Sequence, residues 1–334
     1  AGDRNLQRRG FPVTTLPTPV AETAIGPALD LEAVAARAAG LARQARAANT
    51  LRAYEADWRE FAGWCAARGL EPLPAAPAVV GLYLADCADR LSLATLARRV
   101  SSLAARHRRA GLGLDVRHPA VADVLAGLRR ERGSAQRRAE ALTVPRLKQV
   151  LAGLGDGLAD RRDRALLLVG TAAALRRSEL AALDVADIAV LPEGLRVTIR
   201  RSKTDAEGRG AVLAVGRTGQ ATCPAAAYTA WLAATGIAEG AAFRAVDRHG
   251  RLGGRLSGNA VALIVQRRAG AAGLDAAAYA GHSMRAGFAT SAAHAGVGEI
   301  RIAHQTRHAS LSTLRRYVRE GALFADNLAV EIGL

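Results

Sequence analysis

A chain of 334 residues exceeds what one ordinary hydrophobic core holds, so its length predicts two domains. Half of the residues are hydrophobic but only 4% are aromatic, which favours closely packed helices and disfavours a strand-rich sandwich. The 46 lysines and arginines outnumber 30 acidic residues, and the resulting charge of +16 predicts a polyanionic partner.

The first predicted elements are an arm and three helices. Residues 1–28 mix charges with several prolines and show no periodicity, so a flexible arm is expected. A helical pattern begins at Leu31, and Asn49 is a suitable N-cap for a second helix that ends at Gly69. Pro77 then opens a third helix.

The fourth predicted helix starts after Ser92, runs to Gly111 and has two different faces. Leucine and valine form a buried stripe, and polar residues recur at helical spacing on the opposite side: Thr95, Arg99, Ser102, Arg106 and Arg109. Such a face suits a DNA phosphate backbone, and the alternative is a solvated helix surface. His107, among these arginines, leaves the same two interpretations open.

A fifth helix over 118–132 completes an N-terminal helical bundle, residues 29–132. The polar, basic stretch 133–142 lacks apolar periodicity and is the expected linker. The second domain, 143–334, opens with a helix capped by Thr143. A more apolar helix over 159–175 follows, and its centre is expected to be buried.

The sequence pattern changes from helix to strand between Val185 and Val215. Apolar segments alternate there with the turn-rich stretches PEG and DAEGRG, which predicts a small three-stranded antiparallel sheet. Helical patterns resume over 224–235, 257–272 and 283–295, and from Gly298 to the end. The expected fold is therefore mainly α, with one small sheet in the second domain.

Four segments place a cation or an imidazole beside groups that can hold it: ALRRSEL, RRSKTD, HSMR and RHASLSTLRRY. In this order and spacing they resemble the signature of the tyrosine recombinase (phage integrase) family. The segment NTLRAYEADW is similar to the start of that family's core-binding domain, so the resemblance runs from about Leu31 onwards. It assigns the catalytic positions to Arg176, Lys203, His282, Arg285, His308 and Tyr317, with Glu179 in support.

The chemistry of phosphodiester cleavage fits these residue types. Arginine donates two parallel hydrogen bonds and stays ionised, so Arg176 and Arg285 suit a clamp on the phosphate, with His308 as a third donor. A tyrosine must lose its proton as it attacks, and His282 is the candidate to assist. The departing deoxyribose oxygen needs a general acid, which Lys203 can supply.

Two positions depart from the family pattern. Arg307 stands where a glycine commonly precedes the second histidine, and Ala286 with Gly287 stands where His-Ser is common. Neither departure removes a reacting group. Arg177 is the shifted alternative to Arg176.

Other interpretations of single residues remain open at this point. Tyr279 is a competing tyrosine near the H-x-x-R box, and Arg176 with Glu179 alone fits an ordinary intrahelical ion pair. His304 and His308 are spaced for a metal, but no glutamate of an H-E-x-x-H motif accompanies them. We expect no metal and no cofactor, because protein cations supply the charge.

The resemblance also implies partners. It predicts double-stranded DNA with inverted half-sites, a homodimer on one site, a homotetramer in the synapse, and strand exchange through a Holliday junction. The two domains are expected to close around the duplex as a C-shaped clamp. The predicted DNA contacts are Arg99, Ser102, Arg106, Arg109 and Arg201. The apolar segment after Tyr317 is expected to dock on a neighbouring protomer, with folding back in cis as the alternative.

Two other functions compete with recombination. A type IB topoisomerase uses similar cations and a tyrosine, and a catalytically idle DNA-binding regulator would lack one of the reacting groups.

The three cysteines, Cys65, Cys87 and Cys223, fit neither a disulfide framework nor a zinc module. The longest apolar run falls short of the about 20 residues that span a membrane, and no signal peptide is evident. A cytoplasmic, nucleoid-associated protein of bacterial or phage origin is predicted.

Overall fold

The computed structural model describes residues 30–44, 48–133, 139–202 and 209–308, together with 310–312, 314, 315 and 317. The chain divides into two compact units, residues 1–136 and 137–334. The mainly helical fold that the sequence predicts is confirmed. The predicted arm, Lys203 and the segment after Tyr317 lie outside the described residues, as do residues 134–138 of the predicted linker.

The described part of the first unit is helical. Its helices are α1 (Leu31–Gln44), α2 (Ala48–Ala66), α3 (Pro77–Cys87), α4 (Leu93–Arg109) and α5 (Pro119–Arg132). As predicted, the Ser92 hydroxyl caps α4 by accepting from the Thr95 N–H at 3.3 Å. The predicted cap at Asn49 is wrong, because α2 already includes Ala48. The core of this unit contains aromatic and branched side chains from α2 to α5, among them Phe61, Tyr83, Leu84, Leu96, Leu103 and Val121.

The expected polar face of α4 is only partly exposed. Arg106 and Arg109 are exposed, but Arg99 and Ser102 are buried at 5% and 2% exposure, so their predicted place on an open surface is wrong. The reason is α2, which packs across this side of α4. Its Glu60 carboxylate and the α3 hydroxyl of Tyr83 accept from the Arg99 guanidinium. The Ser102 hydroxyl donates to the carbonyl of Tyr54 at 3.0 Å.

His107 is also an interior residue, which corrects both sequence interpretations. Its side chain is fully buried. The Nε2 atom accepts from the backbone N–H of Ala75 at 2.8 Å, and Nδ1 lies 2.8 Å from the carbonyl oxygen of Leu103, to which it donates. The imidazole therefore ties the loop before α3 to α4, and a buried polar group with both atoms bonded stabilises the unit.

The second unit combines helices with two small sheets. Its helices are α6 (Val144–Ala152), α7 (Leu158–Ala172), α8 (Arg177–Ala182), α9 (Pro224–Thr235), α10 (Gly258–Ala271), α11 (Ser283–His294) and α12 (Glu299–Thr306). Its strands are β1 (Ile188–Leu191), β2 (Gly194–Ile199), β3 (Ala211–Gly216), β4 (Arg244–Val246) and β5 (Leu252–Arg255).

The predicted three-stranded sheet is confirmed, with the antiparallel order β1-β2-β3. Val197 of β2 pairs with Ile188 on one side and Leu213 on the other, and all three side chains face the core. The β4-β5 hairpin was not predicted, because RAV and LGGR are too short and too polar to alternate clearly. The helical pattern predicted from Gly298 onwards is interrupted in the structure. Helix α12 ends at Thr306, and the described residues are helical again at Leu311, Ser312, Leu314, Arg315 and Tyr317.

Two packing features position the site. Helix α7 has a fully buried centre, as predicted, with Ala165, Leu166, Leu167 and Val169 at 0% exposure. The segment before α6 lies on α11: the Leu142 N–H donates to the Ser283 carbonyl at 2.9 Å. A Cβ at Gly287 would lie 1.9 Å from the Leu142 carbonyl oxygen, so only glycine fits at that point of α11.

The structure gives the state of the three cysteines and the lengths of the described helices. Cys65, Cys87 and Cys223 are buried free thiols. Among the residues that the structure describes, no helix combines the length and the apolar character that crossing a bilayer requires.

Candidate active site

The site is built on the C-terminal end of α7. Beyond the helix the chain turns at Ala174, whose φ is 46°. The Ala174 carbonyl accepts from Nη1 of Arg285 at 2.9 Å and from Nη2 of Arg307 at 3.3 Å, and the Ala173 carbonyl accepts from Nη1 of Arg307 at 3.2 Å. The last carbonyls of a helix lack helical partners and carry partial negative charge, so this end holds two guanidinium groups.

Glu179, on α8, is the carboxylate of the site. Its Oε1 accepts from Nη1 of Arg176 at 2.6 Å and from the Ser202 hydroxyl at 2.8 Å. Its Oε2 accepts from the Arg176 backbone N–H at 2.9 Å and from Nη2 of Arg307 at 2.8 Å. Burial alone would raise the pKa of Glu179, but these hydrogen bonds and the Arg307 charge lower it below its ordinary value. The carboxylate is therefore ionised at neutral pH.

Arg285 lies in the first turn of α11 and is 1% exposed. Burial and the charges of Arg176 and Arg307 lower its pKa to about 10, so it stays protonated at neutral pH. Its Nη2 atom is buried and has no hydrogen-bond partner among the described residues. Leaving a buried donor unpaired costs roughly 1–3 kcal/mol, and more for a charged group, so this atom indicates a place for an anionic acceptor.

Tyr317 and His282 face each other in the same unit. The Tyr317 hydroxyl lies 2.9 Å from Nε2 of His282, the residue that precedes α11. Burial lowers the pKa of His282, and the charges of Arg285 and Arg176 lower it further. The imidazole is therefore neutral at pH 7, and its Nε2 can accept the phenolic proton.

His308 follows α12 and lies beside the same tyrosine, with ring centroids 6.2 Å apart. Its Nδ1 is 2.6 Å from the Thr306 hydroxyl oxygen, which is itself 2.7 Å from the Ile302 carbonyl oxygen. That carbonyl can only accept, so the Thr306 hydroxyl donates to it and Nδ1 donates to Thr306. Burial and the nearby Arg285 and Arg176 lower the pKa of His308 to about 4. Its Nε2 can donate only when the ring is protonated.

The structure brings together six of the residues that the resemblance assigns: Arg176, Glu179, His282, Arg285, His308 and Tyr317. Lys203 lies outside the described residues, and Arg201 is exposed beyond the end of β2. Ser202 and Arg307 also belong to the cluster but were not predicted as site residues. The signal for Arg307 was its place where the family pattern has glycine.

The alternatives to the assigned residues lie elsewhere. Arg177 is exposed and packs beside Gly281. Tyr279 is buried, and its hydroxyl accepts from Nη1 of Arg146 at 2.8 Å. Among the described ranges, no group of three or more histidine, cysteine, aspartate and glutamate side chains has a metal-binding arrangement.

Comparison with known proteins gives consistent matches. The model of the phage integrase family matches residues 140–322. An integrase/recombinase xerD homolog of Selenomonas ruminantium is 38% identical over 293 residues, which cover 85% of each chain.

Two solved structures share the fold. A lambda integrase (75–356) dimer bound to a COC′ core site matches with a TM-score of 0.57 and 16% identity, covering 87% of this chain and 95% of that one. The XerH site-specific recombinase bound to palindromic difH substrate matches with a TM-score of 0.56 and 18% identity, covering 78% of this chain and 72% of that one.

Proposed function

Because the chain belongs to the phage integrase family, we propose that it cleaves and rejoins duplex DNA at specific sites with Tyr317 as the nucleophile. The observation that carries this proposal is the 2.9 Å contact between the Tyr317 hydroxyl and Nε2 of His282. This pair lies near the buried guanidinium of Arg285, whose Nη2 meets no acceptor in the described part of the chain. These side chains suit the roles of nucleophile, base and anion-binding cation within one unit, which supports the proposal.

In the proposed cleavage, the Tyr317 oxygen attacks the scissile phosphorus and a bond forms between them. The phenolic proton passes to Nε2 of His282, and the bond from phosphorus to the 5′ oxygen breaks. The product is a 3′-phosphotyrosine and a free 5′ hydroxyl, with Lys203 as the proposed donor of the proton to that oxygen. Attack by a second 5′ hydroxyl reverses these steps and rejoins the strand without ATP.

The cations stabilise the charge on the phosphate oxygens during both steps. Arg176 and Arg285 are the proposed clamp, since guanidinium groups donate directional hydrogen bonds and remain charged. A bound phosphate raises the pKa of nearby His308, because an opposite charge favours the protonated ring. His308 is the proposed third donor, and it donates through Nε2 when its ring is protonated.

The partners and the domain roles are part of the same proposal. The unit with α1 to α5, residues 29–132, binds DNA, and residues 143–334 carry out catalysis after a linker at 133–142. Inverted half-sites bind a homodimer, and two dimers form the synaptic tetramer that exchanges strands through a Holliday junction. DNA-bound structures of lambda integrase and XerH, which share this fold, support a duplex as substrate. A cytoplasmic, nucleoid-associated location stays a prediction.

A covalent-capture experiment tests the proposed function. Fragments bound by the chain are first selected from a library of bacterial genomic DNA, and the enriched site is then made as a nicked suicide substrate that traps the intermediate. We expect a denaturation-resistant complex of protein and DNA in buffer with excess EDTA. Relaxation of supercoiled DNA lacking the selected site would instead favour a type IB topoisomerase. Specific binding without any adduct would favour an idle regulator.

The pH dependence of cleavage follows from His282. A base must be neutral to accept a proton, so it works above its pKa, and a lowered pKa moves this limit towards acid. We expect the single-turnover rate to fall on the acid side, where His282 takes up a proton, and we expect this acid limb to disappear in His282→Gln. Adduct assays over a series of pH values measure both profiles. An acid limb that is unchanged in His282→Gln would contradict the role of this base.

The exposed arginines of α4 give a prediction about DNA binding. Affinity for DNA falls as salt rises, so the slope of log affinity against log salt is negative. Replacing both Arg106 and Arg109 with alanine should make this slope less steep by about 0.9 for each phosphate that these side chains neutralise. Arg90→Ala, which removes an exposed arginine outside α4, is the matched control and should leave the slope unchanged. Arg99→Ala should reduce thermal stability instead, because its guanidinium is paired in the interior. An unchanged slope in the double variant would make this face merely solvated.

A further inference from the structure

Arg307 occupies a backbone position that disfavours a side chain. It ends α12 with φ 54° and ψ 46°, in the left-handed region. Glycine adopts this conformation freely, whereas another L-residue is strained in it. A long side chain at this point therefore needs a compensating interaction.

The guanidinium of Arg307 makes such interactions inside the site. Only 13% of its side chain is exposed. Nη2 donates to Oε2 of Glu179 at 2.8 Å and to the Ala174 carbonyl at 3.3 Å. Nη1 donates to the carbonyls of Ala173 and Gln305, both at 3.2 Å. These groups belong to α8, to the end of α7 and to α12, so one side chain joins three elements.

The same guanidinium contacts the partners of both clamp arginines. Glu179 is the carboxylate that orients Arg176 through its Nη1 and its backbone N–H. The Ala174 carbonyl is the acceptor that holds Nη1 of Arg285. A change at Arg307 would therefore reach Arg176 and Arg285 by two separate hydrogen-bonded routes.

We propose that Arg307 is a positioning residue that fixes Glu179 and the Ala174 carbonyl and thereby orients Arg176 and Arg285 for the scissile phosphate. This inference rests on the proposed function. It gives a role to the arginine that replaces the glycine of the family pattern. Displacing reacting groups by about 1 Å can cost ~10²-fold in rate, so a positioning residue has a measurable effect.

The test compares Arg307→Gly with the wild type on the nicked suicide substrate. Glycine removes the side chain and also relieves the left-handed backbone, so the fold should be kept. We expect DNA affinity within about twofold of the wild type and a single-turnover rate lowered at least ~10-fold. Arg301→Ala, which removes an exposed arginine from the same helix, is the control and should keep the wild-type rate.

A double-mutant cycle separates positioning from a general effect on packing. If Arg307 acts through Glu179, the variant carrying both Arg307→Gly and Glu179→Gln should be much faster than the product of the two single effects predicts. Multiplicative effects, or a wild-type rate in Arg307→Gly, would overturn the inference. If Arg307→Gly melts at a lower temperature than the wild type, Arg307→Lys replaces it in the test. Lysine keeps the positive charge but lacks the paired nitrogen donors of a guanidinium. A full wild-type rate in Arg307→Lys would therefore also overturn the inference. A wild type without any adduct refutes the proposed function itself.

Discussion

Tyr317→Phe should form no covalent complex on the suicide substrate while binding the selected DNA site within about twofold of the wild type. The substitution removes only the attacking oxygen, and without it no phosphorus–oxygen bond to the protein can form. The ring still packs against the apolar cluster that contains Ala289, Ala293, Ile302 and Leu314, so the local structure should persist. Denaturing gels measure the adduct, and gel-shift titration measures binding.

Tyr279→Phe is the matched control for this prediction. Tyr279 lies near the H-x-x-R box in the sequence, but its hydroxyl accepts from Arg146 and lies 3.4 Å from a carboxylate oxygen of Glu140. Its loss should leave the adduct intact. If Tyr317→Phe still formed the adduct and Tyr279→Phe did not, Tyr279 would be the nucleophile instead.

Arg176→Ala and Arg285→Ala should each slow cleavage ~10²-fold or more, by analogy with losing a donor to a developing negative charge. The reason is specific to each residue. Arg176 is held against Glu179 at the surface of the cluster, with 17% of its side chain exposed. Arg285 is buried, and among the residues that the structure describes its Nη2 donor has no hydrogen-bond partner. Single-turnover adduct formation at saturating protein isolates this chemical step from DNA binding.

Arg177→Ala is the control for both variants. It removes the same charge one residue further along the chain, and Arg177 is exposed. We expect a rate near that of the wild type. A large loss in Arg177→Ala with a small one in Arg176→Ala would show that the shifted alternative is correct. Melting curves for Arg285→Ala are needed alongside, because a buried side chain is lost.

The sequence predicted most of the residues that the structure brings together, because motif order carries that information. His282 and Arg285 are one turn apart on a helix, so their spacing alone places them together. The approach of Tyr317 to His282 depends on how α11 and the segment after α12 pack. Only the resemblance supplied that contact in advance.

Other features could not be predicted, because they depend on what lies across a helix face. Periodicity placed Arg99 opposite the leucine stripe of α4, but a carboxylate on α2 draws this arginine into the interior. The sequence also could not distinguish His107 from a surface residue, because its partner, the backbone N–H of Ala75, is distant along the chain. In the sequence Arg307 is only a departure from the family pattern, because the residue type does not show that its backbone is left-handed.

Two guanidinium groups bind the end of α7, so the geometry of the candidate site depends on the packing of the core of the second unit. The carbonyls of Ala173 and Ala174 directly follow α7, whose centre is fully buried among neighbouring side chains. In the proposed reaction, the alignment of Arg285 and Arg307 at the phosphate therefore depends on how closely leucine and valine side chains pack about two turns away on α7. A cavity-forming substitution such as Leu167→Ala would then act as a misalignment of the site, and cleavage would slow although every reacting group is still present.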